Sequence, residues 1–242
     1  MGQSLVYMPE CHSTNNEALG LFKAGKGIEG SVVITSNQTA GRGQRNNVWE
    51  SEAGKNLTFS ILLTPHFILP KDQFYLTICI SLGIADYLNE ALHEHVKIKW
   101  PNDIIVKDKK LCGILIENQL SGQRIQSCIV GIGLNVNQEN FISEKASSMK
   151  LLSGNEFVLE DELQKILKKI EVCYLMLRQG QTEKLFSEYI TNMYWRGEKH
   201  LFSSFQTEFE GVVTGVDEIG RLRIETKENV KIFEVKEVQF LR

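Results

Sequence analysis

Two fixed positive charges, Arg42 and Arg45, lie among glycines in the segment Gln38-Thr39-Ala40-Gly41-Arg42-Gly43-Gln44-Arg45-Asn46-Asn47-Val48-Trp49. Glycine lets main-chain N–H groups come close to an anion, and arginine offers paired donors to carboxylate or phosphate. The segment lacks the Gly-Lys-Ser/Thr ending of a P-loop and the third glycine of a dinucleotide fingerprint. A solvated surface turn is the plain alternative. Lys55 close by, and Trp49, an aromatic that gains from a stacking partner, favour an anion-binding loop with an aromatic lid. In Lys99-Trp100-Pro101-Asn102-Asp103, Pro101 interrupts any ladder and presents Asn102 and Asp103 at a break between apolar runs. An acid there can hold Mg²⁺ near a phosphate, and an Asx-turn accounts for the same residues equally well. Lys110 stands at the mouth of the run Leu111–Glu117, a place where lysine is usually solvated. Gly113 beside it would let a ligand lie against the backbone, and an ammonium suits carboxylate and phosphate oxygens. Gly131 and Gly133 share one face of a strand, as expected for close approach of a ligand or another backbone, or for core packing alone. Asn135 follows them and can both donate and accept. Helix capping by itself explains Ser13-Thr14-Asn15. The histidines show no metal-ligand spacing and no Ser/His/Asp arrangement.

The elements that must position these residues are legible as periodic runs. Thr14-Asn15-Asn16-Glu17 fits a capping box opening a short helix. Val32–Ser36 and Leu57–Leu63 read as buried strands, with the glycine-rich loop between them. Leu76, Ile80, Ile84, Tyr87, Leu88 and Leu92 have helical spacing over Gln73–Leu92. Strands follow at Val96–Lys99, Ile104–Val106 and Leu111–Asn118, and Ser121-Gly122 is a hairpin turn into Ile125–Val136. Leu163, Ile166, Leu167, Ile170, Tyr174 and Leu177 define an amphipathic helix, and Glu183–Ile190 a further one. From about Arg196 the pattern changes to five short strands, Glu198–Ser203, Phe209–Val216, Leu222–Glu225, Val230–Phe233 and Glu237–Leu241, with turns at Asp217–Gly220 and Lys227–Asn229. That is the expectation for a small β-barrel appended to an α+β domain. The boundary is placed near Asn192, giving units 1–191 and 192–242.

Composition bounds the function. A net charge of −3 over 242 residues argues against a bulk nucleic-acid binder. No apolar run reaches the ~20 residues of a membrane helix, and the start has no basic and apolar secretory pattern. Five scattered cysteines without a Cys-x-x-Cys pair point to reduced, buried thiols in a cytoplasm.

Taken together and in order, Ser13-Thr14-Asn15, Gln38-x-Ala40-Gly41-Arg42-Gly43, Lys99-Trp100-Pro101-Asn102-Asp103, Lys110-Leu111-x-Gly113-Ile114-Leu115 and Gly131-Ile132-Gly133-x-Asn135 closely resemble biotin–protein ligases of the bacterial type. The resemblance implies a mixed β-sheet with packed helices, like class II aminoacyl-tRNA synthetases, and a C-terminal Src-homology-type barrel. It implies activation of biotin by Mg·ATP to biotinyl-5′-AMP, then transfer to a lysine of a biotin carboxyl carrier domain. On that resemblance Ser13, Thr14 and Asn15 surround the ureido ring, Gln38 is another biotin contact, and Arg42, Gly43 and Gln44, with Arg45, belong to the loop over biotin and adenylate. Lys110 bridges the biotin carboxylate and the α-phosphate. Trp49, Asn102 and Asn135 lie on the adenylate side, Asp103 near the metal, and Gly113 and Gly133 give clearance. Gln44 and Asn46 stand where the family often has arginine and glycine, and Asn tolerates left-handed backbone. The family's regulatory members carry an N-terminal DNA-binding domain, and this sequence starts almost at the catalytic motifs, so a ligase without repressor activity is expected. Several members form dimers by sheet-to-sheet contact. A lipoate–protein ligase or octanoyl transferase is the nearest rival, but the Gly-Gly-Gly-type stretch of those enzymes is absent. A non-catalytic biotin sensor is the rival of another class.

Overall fold

The computed structural model describes residues 1–44 and 48–241, so Arg45 and Asn46 lie outside the described residues. Seven strands form one mixed sheet: β1 (Leu5–Cys11), β2 (Val32–Gln38), β3 (Leu57–Leu63), β4 (Val96–Lys99), β5 (Asp103–Val106), β6 (Lys109–Ser121) and β7 (Arg124–Leu134). Their order across the sheet is β1-β2-β3-β7-β6-β5-β4. Only the β1–β2 pair is parallel. The sequence had no marker for β1, whose Leu5-Val6-Tyr7-Met8 run is broken by Pro9; tertiary pairing with β2 makes it a strand.

The two faces of the sheet do different work because side chains alternate along each strand. One face carries Leu57, Phe59, Ile61 and Leu63 of β3 and Val130 and Ile132 of β7 into the main core. The same core takes up Leu76, Ile80, Ile84, Tyr87, Leu88 and Leu92 of α2 (Phe74–Leu92) and Leu163, Ile166, Ile170 and Tyr174 of α4 (Leu159–Arg178). Gly83 of α2 lets the two helices touch, since a Cβ there would sit 2.6 Å from the Ile170 Cα. The opposite face is covered only in part. Helix α1 (Thr14–Lys23) packs Ala18 on Val33, Leu62 and Ile129. The area beside α1 is left open as a cleft.

Helices α3 (Met149–Ser153) and α5 (Thr182–Thr191) complete the helical complement. A second, antiparallel sheet then follows: β8 (Lys199–Ser204), β9 (Thr207–Val216), β10 (Leu222–Glu225), β11 (Val230–Phe233) and β12 (Gln239–Phe240), in the order β11-β10-β9-β8-β12. The five short strands expected of a small C-terminal barrel are thus found as one antiparallel sheet. It docks on the larger sheet through Trp100, whose Nε1 donates to the Gly220 carbonyl at 2.8 Å.

Candidate active site

The residues with chemistry meet because of strand register. Thr58 on β3 opposes Gly133 on β7, Gly133 opposes Gly113 on β6, Gly113 opposes Asp103 on β5, and Asp103 opposes Lys99 on β4. Opposed residues project to the same side of a sheet, so segments far apart in sequence form one row across the cleft face. The next row holds Ser60, Gly131 and Leu115.

Lys110 joins this row through a fault in the ladder. In a regular strand Lys110 and Gly113, three residues apart, would point to opposite faces. The register of β5 on β6 slips between Ile104 and Ile105, pairing Ile104 with Cys112 but Ile105 with Lys110. Leu111 is therefore the extra residue of a bulge, and a bulge re-aims the side chains beside it. The ammonium of Lys110 reaches the Asp103 carboxylate at 2.6 Å and stands 5.5 Å from the centre of the Trp49 ring.

The bare glycines are used by side chains. A Cβ on Gly133 would lie 2.3 Å from the Trp49 indole and one on Gly113 would lie 2.9 Å from it. A Cβ on Gly131 would lie 2.4 Å from the Asn15 Oδ1. Neither a second backbone nor core packing accounts for them, as the sequence alone allowed. Trp49 lies flat on a glycine shelf, and its Nε1 is buried without a hydrogen-bond partner among the described residues.

Around Thr14 the cleft is lined by neutral hydrogen-bonding groups, with the charged Glu117 and Arg42 beside them. Thr14 donates through its N–H and its hydroxyl to Gln38 Oε1, at 2.9 and 3.3 Å. Ser60 Oγ lies 2.7 Å from Thr14 Oγ1 and 2.6 Å from Asn15 Oδ1, and Asn15 Nδ2 donates to Glu117 at 2.7 Å. Ser13 occupies the N-cap of α1 but makes no side-chain capping bond. Capping alone is thus not what Ser13-Thr14-Asn15 does. Arg42 donates to Asn16 Oδ1 at 2.7 Å and lies 3.6 Å from Glu117. Ser60 and Glu117 were absent from the sequence candidates. Their signal was a polar group on the cleft-facing parity of otherwise apolar strands.

One cleft of about 370 Å³ is lined by Ser13, Thr14, Asn15, Gln38, Arg42, Gly43, Gln44, Trp49, Asn102, Asp103, Lys110, Gly113 and Gly133. That volume suits a small-molecule site. Asn102 turns its side-chain amide inward to the Ile114 carbonyl at 2.7 Å. Asn135 is not in the lining: it is buried behind it, with Nδ2 bonded to the Ser147 carbonyl at 3.0 Å. The cleft also takes in Lys99, Gly131 and a strap from the C-terminal module, Val235, Lys236, Val238, Gln239 and Phe240. Asp103 is the one carboxylate of the lining among the described residues, against Arg42, Lys99, Lys110 and Lys236. No cluster of three or more His, Cys, Asp or Glu suited to a metal occurs among the described residues.

A model described as the Biotin/lipoate A/B protein ligase family matches residues 9–135, more than half of the chain. The chain belongs to the biotin/lipoate A/B protein ligase family. The ligase motifs and the cleft row fall within the matched span. This ligase chain is 32% identical over 248 residues to the bifunctional ligase/repressor BirA of Bacillus subtilis (strain 168), covering 96% of this chain and 72% of that protein. It is 38% identical over 128 residues to the biotin--[acetyl-CoA-carboxylase] ligase of Paracoccus denitrificans, covering 51% of each. In three dimensions it is similar to the biotin protein ligase from Aquifex aeolicus in complex with biotin and ATP, with a TM-score of 0.82, 27% identity and 99% of both chains covered.

Proposed function

We infer that this ligase activates biotin with ATP, as biotinyl-5′-AMP, and transfers the biotinyl group to a lysine of a biotin carboxyl carrier domain. The observation that carries this reading is the polarity of the cleft. Neutral donors and acceptors (Ser13, Thr14, Asn15, Gln38) sit together in one part, and Lys110 and Lys99 flank Asp103 in another, with Lys236 also in the lining. A ureido ring needs the first set and phosphates the second.

In the first step the biotin carboxylate attacks the α-phosphorus. The new oxygen–phosphorus bond forms as the bond to the bridging oxygen breaks, and diphosphate leaves with the electron pair. Two anions must be held in contact, so neutralising and orienting cations dominate the barrier. In this reading Lys110 bridges carboxylate and α-phosphate, and Arg42 belongs to the loop that covers them. Asp103, paired with Lys110 at 2.6 Å, keeps that ammonium aimed along the row before substrates arrive. In the second step the amine of the carrier lysine attacks the acyl carbon and AMP departs.

A single carboxylate is enough for Mg²⁺ delivered on nucleotide phosphates, since such sites use one or two carboxylates plus the substrate's oxygens. Asp103 would hold it, and the ion would supply further charge neutralisation. We assign residues 1–191 to the biotin- and ATP-binding unit and 192–242 to a module that contributes the strap. Five buried free thiols suit a reducing cytoplasm.

The test is incubation of the protein with ATP, Mg²⁺, biotin and a carrier domain, with intact-mass measurement of the carrier. A biotinyl increment on one lysine is expected. Diphosphate exchange into ATP that responds to lipoate but not to biotin would overturn the assignment.

A further inference from the structure

Lys99 was no site candidate in the sequence, yet it closes the cationic end of the row. It opposes Asp103 across β4 and β5, and both line the cleft. Its ammonium makes no ion pair among the described residues, because the Asp103 carboxylate is taken by Lys110. It is held between modules, 4.9 Å from the ring centre of Phe240 on β12 and 6.0 Å from that of Tyr194. Phe240 itself belongs to the cleft lining.

Backbone pairing brings the segment that carries Lys145 alongside Lys110. The Lys110 N–H donates to the Lys145 carbonyl at 2.7 Å, and the Ser147 N–H donates to the Lys110 carbonyl at 3.1 Å. This lays segment 145–147 along the start of β6. Burial lowers the Lys99 ammonium from its usual range; Asp103 opposes that fall, and the charges of Lys145 and Lys110 add to it. Lys99 and Lys110 thus share a single carboxylate, Asp103, in the lining, with the exposed Lys145 on the segment beside them, a surplus of positive charge suited to an anionic ligand.

We propose that Lys99, steadied by Phe240 and Tyr194 and assisted by Lys145, forms the subsite for the departing diphosphate, separate from Lys110 and Arg42, which serve carboxylate and α-phosphate. This rests on the ligase reading and names the groups that take up the charge developing on the bridging oxygen as its bond to the α-phosphorus breaks. Lys99 remains an ammonium throughout and transfers no proton. The Phe240 contact makes the C-terminal strap the element that keeps this cation turned into the cleft.

Titration calorimetry with inorganic diphosphate tests the subsite on the full chain without turnover. Lys99→Met is expected to weaken diphosphate binding about ten- to a hundredfold, the scale of one charged hydrogen bond lost. Lys99→Arg should recover most of the affinity, and exposed Lys145→Ala should weaken it by less than about tenfold. Biotin affinity should stay within about twofold in all three, given unchanged far-ultraviolet circular dichroism. Diphosphate affinity in Lys99→Met equal to that of the parent, or an equal fall in biotin affinity, would overturn the proposal. If Lys99→Met fails to fold, Lys99→Gln takes its place with the same expected loss, and affinity equal to the parent's in that variant would overturn the proposal. Absence of biotin-dependent exchange in the parent chain would strike the ligase reading alone, because the calorimetry does not depend on it.

Discussion

At the scale of single residues the site depends on what glycine leaves out and on what one lysine supplies. Gly133→Ala would drive a methyl group into the Trp49 indole, so the ring must leave its shelf. We expect the fold to persist, the tryptophan emission to shift and the KM for ATP to rise about tenfold, while biotin affinity changes little; unchanged emission would show that Trp49 tolerates the methyl group. Lys110→Ala removes the cation placed between two anions. Loss of one such preorganised group costs about 10²–10³-fold in rate, so biotin-dependent exchange of diphosphate into ATP should fall by that factor with melting temperature preserved. Exchange within a few-fold of the parent would refute its role.

At the scale of elements, irregularities do the aiming. The bulge at Leu111 rotates Lys110 onto the cleft face, and the turn after β9 carries the carbonyl that docks Trp100. That turn is held by Asp217, which accepts from the N–H groups of Ile219 and Arg221 and from Arg221 Nε. Burial alone would raise the Asp217 carboxyl, but the Arg221 backbone and side-chain donors, its charge and the Ile219 N–H together bring it below the ordinary carboxylate range. The folded form therefore binds this proton less readily than the unfolded chain. Its contribution to stability is complete above the unfolded value of about 3.9 and is lost as pH falls through the lower folded value. Asp217→Asn should cost about 1 kcal/mol at pH 7, with the difference from the parent shrinking below about pH 4. Denaturant melts at both pH values check this, and a gap that widens in acid would contradict it.

At the scale of the whole molecule the cleft is shared between two sheets. The larger sheet provides the floor, and the C-terminal strap provides one wall and the aromatic contact to Lys99. Trp100→Phe keeps the apolar bulk at the junction but deletes the donor to Gly220, leaving that carbonyl unsatisfied. A loss of about 1–2 kcal/mol of stability is expected. The KM for ATP should rise more than that for biotin, because the wall that shifts is at the phosphate end. Equal changes in both constants would show that the module acts on the whole cleft.

Much of this was written in the linear chain. Apolar periods mark α2, α4 and the central strands because burial selects side chains at the spacing of the element, whatever lies opposite. The spaced motifs, with Arg42, Asp103, Lys110 and the paired glycines, name the family and the chemical character of the ligand, since residue type and local spacing carry both. Other features needed the folded form. Strand β1 has weak local preference and exists through its partner. Which groups share a row is set by register between strands tens of residues apart. The face on which Lys110 emerges turns on one unpaired residue, and the placement of Lys99 on a wall contributed by the last strand. Sequence records local preferences one residue at a time, whereas convergence is a property of pairings between distant segments, and only the tertiary structure contains those pairings.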